Sequence, residues 1–106
     1  MRKYTLPRGV VKACAGIVDG VYIEPYKSYV DKALDVVGTN YEKNEAAQKE
    51  RMRLIEAIKY NLINRNKYPY EFLARRYSLP LSLSAFKREK KKYCYELARL
   101  CGFIET

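Results

Sequence analysis

The sequence predicts an all-α fold of four or five helices, and three observations carry that expectation. Apolar residues recur at helical spacing in the longer segments. The stretch from Glu42 to Arg65 is rich in good helix formers. Glycine and proline are sparse, five and four residues, and they gather at breaks. The length of 106 residues fits one domain with a modest core, in which residues 1–60 support a C-terminal unit spanning 61–106.

The elements follow in order. Leu6-Pro7-Arg8 reads as a helix entrance, because proline is tolerated in the first helical turn. Val10, Val11, Cys14, Ile17, Val18 and Val21 then repeat on one side of a helix, which Gly16 and Gly20 weaken locally. Pro25 ends or kinks it, and Tyr26–Val37 resumes with Tyr26, Tyr29, Val30, Ala33, Leu34 and Val37 on a common side. Two helices and one kinked helix are both compatible with this pattern. Gly38-Thr39-Asn40 is a break.

The long helix Glu42–Arg65 follows, with Ala47, Leu54, Ile55, Ile58 and Leu62 as its apolar face and Asn64-Arg65-Asn66-Lys67 as its stop. Pro69 begins a short helix, Tyr70 to Tyr77, that offers Phe72, Leu73 and Tyr77 to the core, and Leu79-Pro80 stops it. Ser82 or Ser84 caps a last helix, since either hydroxyl can take up an orphan amide. That helix runs to Leu100 or Cys101, where Gly102 stops it and Phe103 and Ile104 fold back onto the core.

Composition narrows the chemistry. Three cysteines (Cys14, Cys94, Cys101) make no disulfide framework, and Cys94 and Cys101 lie roughly 10 Å apart along one helix, too far to bridge. All three read as small core residues. The odd count without a signal peptide fits a reducing cytoplasm, and no apolar run reaches the length of a membrane span. The chain has no histidine, the commonest general base and metal ligand. There is also no Cys-x-x-Cys pair, no glycine-rich phosphate loop and no clustered carboxylate pair, so neither an enzyme, a metal nor a cofactor is expected. Glu42, Glu45, Glu50 and Glu56 read as a solvated, salt-bridged face.

The formal net charge is +9, an excess that favours phosphate backbones or anionic surfaces. It is uneven: from Arg65 onward there are ten Lys/Arg against four Glu, and five of the ten fall between Lys87 and Lys92. A basic helix placed second after a short helix and a tight turn is the arrangement that enters the major groove of duplex DNA. At the helical period Phe86, Tyr93, Leu97, Leu100 and Cys101 share one side of the last helix. Ser84, Arg88, Lys91 and Tyr95 fall opposite, flanked by Lys87 and Lys92, while Lys90 leans towards the buried side and snorkels.

Arg88 suits bidentate reading of guanine, Ser84 a base edge or phosphate, and the lysines the phosphates. Arg75 and Arg76 on the preceding helix suit backbone contacts, with a salt bridge from Arg75 to Glu71 as the competing use. Tyr70 belongs to the core or its rim. On this reading Arg88→Ala relaxes sequence discrimination, and Lys92→Ala weakens all sequences alike.

The run Asn61–Leu73 (NLINRNKYPYEFL), then Tyr77-Ser78-Leu79-Pro80, then Phe86 with its basic successors, resembles small sigma-factor-like regulators of phages and prophages of Gram-positive bacteria, among them the ArpU-like regulators. The opening Leu6-Pro7-Arg8-Gly9-Val10-Val11 is similar to the start of some of these proteins. The resemblance implies that the last two helices form a unit like region four of sigma factors, a helix-turn-helix that binds promoter DNA. It also implies control of phage gene transcription, with Ser82, Ser84, Lys87, Arg88 and Lys91 at or near the groove. The chain has no room for a promoter-melting region, so independent promoter opening is not expected.

RNA polymerase and a second copy of the chain are further partners that the first helices allow, although ordinary core packing is the commoner use of such a face. Two rivals stand beside this reading. One is a protein-interaction adaptor whose basic helix meets an acidic partner. The other is the small DNA-recognition subunit of a phage packaging machine.

Overall fold

Each helix starts and stops where its backbone groups find partners. The computed structural model describes residues 6–20, 23–64, 70–79 and 81–104. Among them are five α-helices and no strand. The first is α1 (Arg8–Asp19), whose opening amides, Val10 and Val11, donate to the Pro7 carbonyl. A separate helix, α2 (Tyr26–Ala33), starts after Pro25 and continues into a 3₁₀ turn over Leu34–Val36. The N-terminal apolar segment is therefore two helices. Arg51 of the following helix closes the second: its guanidinium donates to the carbonyl of Val37 (2.8 Å) and to that of Leu34 (2.7 Å), which also accepts from the Val37 amide.

The long helix α3 (Glu45–Asn64) begins three residues later than the expected Glu42. The reason is Asn44, whose side-chain oxygen accepts from the Ala47 amide at 2.8 Å and so caps the first turn. Glu42 stays outside, where its carbonyl accepts from the Gln48 side chain. The short helix α4 (Tyr70–Tyr77) ends with Ser78 in the left-handed region (φ 52) and with the Leu79 amide donating back to the Ala74 carbonyl. Ser82 caps α5 (Leu83–Leu100) by accepting from the Ala85 amide at 3.1 Å. Gly102 (φ 76) stops it, with the Phe103 amide donating to the Ala98 carbonyl. Val21, Arg65, Asn66, Lys67, Pro69 and Pro80, which entered the element boundaries expected from sequence, lie outside the described residues.

The core joins all five helices. Leu54, Ile58 and Leu62 of α3, Leu73 of α4, and Phe86, Tyr93 and Leu97 of α5 meet Cys14 and Val18 of α1 and Val30 and Ala33 of α2. The helix α5 packs on α1, α2, the 3₁₀ turn and α3, and α4 is held on α3. Between α4 and α5 the Tyr70 ring meets the edge of Phe86 at 5.2 Å, and the Tyr70 hydroxyl donates to the Leu81 carbonyl. Tyr70 thus lies at the core rim.

Three aromatic residues expected inside are exposed: Tyr26, Phe72 and Phe103. Leu73 and Tyr77 take the inward side of α4, which swings Phe72 outward. The reversal at Gly102 seats Ile104 on the core instead of Phe103. Cys14 and Cys94 are buried, Cys101 is half-buried, and all three thiols are free. Burial pushes the Cys14 thiol up to about 12, so it stays protonated and packs as a small hydrophobe. Its Sγ donates weakly to the Cys94 carbonyl at 3.7 Å.

Candidate nucleic-acid interface

The N-terminal half of α5 carries the candidate site because the core grips that helix unevenly. Phe86 and Tyr93 anchor one side, and both are buried. Beyond Tyr93 the helix is enclosed more widely: Cys94, Leu97 and Ala98 are all buried, against α1, α2 and the 3₁₀ turn. Before Tyr93 the outer side is open. Ser82, Leu83, Ser84, Lys87, Arg88 and Lys91 are exposed, and Lys90 is half-buried.

The five cations of residues 87–92 therefore occupy different environments. Lys87, Arg88 and Lys91 face solvent. The Lys92 side chain is 16% exposed, and its Nζ lies 3.1 Å from Oε2 of Glu89. Lys92 does not share the outer position of Lys87, although both were expected to flank the stripe. Glu89 is the cause: it is buried, and its Oε1 accepts from the Gly38 amide at 2.7 Å. Arg88 Nε stands at 3.9 Å from the same carboxylate and keeps its exposure. Gly38 sits at φ +64, where a Cβ would meet the Tyr41 ring at 2.9 Å and Arg51 Cγ at 3.1 Å, so only glycine fits.

Glu89 was invisible in the sequence as anything but one acid among lysines. Its position on the Phe86–Tyr93 side of the helix was the available signal. Leu83 is the second residue that sequence reasoning passed over: an apolar side chain exposed in the first turn of α5, next to the capping Ser82. The capping bond uses the Ser82 oxygen as an acceptor and leaves its O–H to donate elsewhere.

On α4, Arg75 and Arg76 are exposed and line a shallow surface depression with Glu71 and Phe72. The Arg76 guanidinium also lies over the Tyr77 ring at 5.8 Å. The three sets that were expected to act together are thus found as an exposed α5 stripe (Ser84, Arg88, Lys91), a capping Ser82 and a separate arginine pair on α4.

Among the described residues no group of three or more His, Cys, Asp or Glu is placed to hold a metal ion, and no helix is long and apolar enough to cross a membrane. No protein-family model matches the chain, and no curated protein or solved structure matches it significantly.

Proposed function

We propose that this chain is a phage-type transcriptional regulator that binds duplex DNA through α4, the turn after it and α5, used as a helix-turn-helix. The observation that carries the reading is the exposed stripe of Ser84, Arg88 and Lys91 on a helix whose opposite side is locked into the core by Phe86 and Tyr93. A helix held in that way can offer its outer side to a groove without moving relative to the rest of the molecule.

In this mode Arg88 reads a base edge bidentately, and Lys87 and Lys91 neutralise phosphates. Ser82 and Ser84 donate hydroxyl bonds at the helix start, where the backbone amides also favour an anion. Leu83 adds an apolar contact of the kind a thymine methyl accepts. Arg75 and Arg76 hold the backbone beside the groove. The sequence resemblance to sigma-like phage regulators supports the same assignment, and the excess of basic residues supports an association that salt weakens.

Selection of bound fragments from a random duplex library, followed by titration of the winners against scrambled duplexes over a salt series, tests the proposal. Enrichment of a common sequence with steep salt dependence is the expected result. Absence of affinity for any duplex at low salt overturns it. One observation favours a second reading as a protein-interaction adaptor: Phe72 is 43% exposed beside Arg75 and Arg76, and aromatic residues with arginine are the usual anchors of protein interfaces. Binding that survives Arg88→Ala and Lys91→Ala but is lost in Phe72→Ala would favour the adaptor.

A further inference from the structure

Glu89 is the one acid inside the basic run, and a duplex-binding role has no direct use for it. Both of its oxygens are engaged inward. Oε1 accepts from the buried Gly38 amide at 2.7 Å, and Oε2 holds Lys92 Nζ at 3.1 Å, with side-chain exposures of 9% for Glu89 and 16% for Lys92. An ammonium held against a buried carboxylate is neutralised before any phosphate arrives, and pulling it away would leave the carboxylate buried and unpaired. Arg88 stands farther from the same oxygen, at 3.9 Å, and its side chain stays 64% exposed, while Lys87 and Lys91 are exposed as well.

We infer that Glu89 is a positioning residue that selects which cations of the 87–92 run meet nucleic acid. It withdraws Lys92 and leaves Lys87, Arg88 and Lys91 outward. Through Gly38 it also ties the middle of α5 to the turn between α2 and α3, so the stripe keeps one orientation. The inference rests on the duplex-binding reading above and refines its chemistry: Lys92 belongs to the fold, not to the phosphate contacts. Glutamine at position 89 separates the two roles of the carboxylate. Its carbonyl oxygen still accepts from the Gly38 amide, but it offers Lys92 no counter-charge. Lys92, on a long flexible stem, then carries its ammonium to solvent beside the stripe.

The test uses the full chain and a fluorescent duplex of random sequence, with affinity measured by anisotropy over a salt series. Each phosphate neutralised by a side chain contributes about 0.9 to the slope of log affinity against log salt. Lys91→Gln should lower the slope by about one such step. Lys92→Gln should leave it unchanged, Glu89→Gln should raise it by about one step, and the Glu89→Gln/Lys92→Gln double variant should restore it. A role confined to stability would change melting temperature without moving these slopes among folded variants.

Should Glu89→Gln fail to fold, the pair Lys91→Gln and Lys92→Gln still decides. Equal slope losses in both overturn the inference, and so does an unchanged slope in a folded Glu89→Gln protein. Those outcomes leave duplex binding standing, whereas no duplex affinity in the unmodified chain overturns the duplex-binding reading and this inference together.

Discussion

The two halves of α5 differ in content and in surroundings: residues 83–92 hold five Lys/Arg and residues 93–100 one. From Tyr93 to Leu100 the helix lies among α1, α2 and the 3₁₀ turn, and even small residues such as Cys94 and Ala98 are buried there. From Leu83 to Lys92 only Phe86 and Glu89 are buried, and the exposed positions are Leu83, Ser84, Lys87, Arg88 and Lys91. The closed half is packed on more sides, and the open half is held by Phe86 and Glu89, so its outer positions are free to vary in chemistry because little packing depends on them. A helix built in this way is a handle at one end and a candidate reading head at the other. Glu89 sits on the boundary and belongs to the closed part although it is surrounded in sequence by residues of the open one.

The contrast can be broken from either end. Leu97→Ala removes a fully buried side chain from the closed half and should destabilise the fold by about 3 kcal/mol in urea denaturation. A loss below about 1 kcal/mol would mean that the closed half is not the anchor. In the open half, Arg88→Ala should reduce discrimination between a selected duplex and a scrambled one by about 2 kcal/mol while leaving the urea midpoint nearly unchanged. Equal weakening on both duplexes would return Arg88 to the phosphate contacts.

At the entrance of the open half, Ser82→Ala removes the cap on the Ala85 amide, and about 1 kcal/mol of stability should go with it. Unchanged stability would show that water replaces the cap without loss. The smallest effect belongs to Tyr93→Phe. Burial pushes the Tyr93 phenol well above its ordinary value, and its hydroxyl has no hydrogen-bond partner among the described residues. Its removal should change stability by less than about 0.5 kcal/mol or raise it, because an unpaired buried hydroxyl opposes folding. A clear loss would reveal a bond to a group outside the described residues or to trapped water.

Most of the helix boundaries were legible in the residues themselves. Tyr70–Tyr77 was readable from its flanking prolines, and the end of α5 from Gly102, since a positive φ after a helix is a local requirement that glycine meets. The late start of α3 was not legible in the same way. Glu42 is as good a helix former as its successors, and only the competing bond from Asn44 to the Ala47 amide decides the first turn. The outward placement of Phe72 has a local reason that the expectation passed over: at about 100° per residue it falls opposite the side shared by Tyr70, Leu73 and Tyr77.

The sequence by itself determined the helical class, the charge excess and its concentration near Lys87–Lys92, and the inward side of α5 through Phe86, Tyr93 and Leu97. These follow from composition and from a period of 3.6, which are properties of the chain one turn at a time. Only the tertiary structure decided that Glu89 reaches Gly38, 51 residues away, and that Lys92 turns inward with it. Within one turn of α5 Lys92 stands three residues from Glu89, in reach of it as Lys87 is not, but nothing local shows that this carboxylate is buried. The difference is made by a buried amide on another segment, whose need for an acceptor fixes a carboxylate and through it a neighbouring cation.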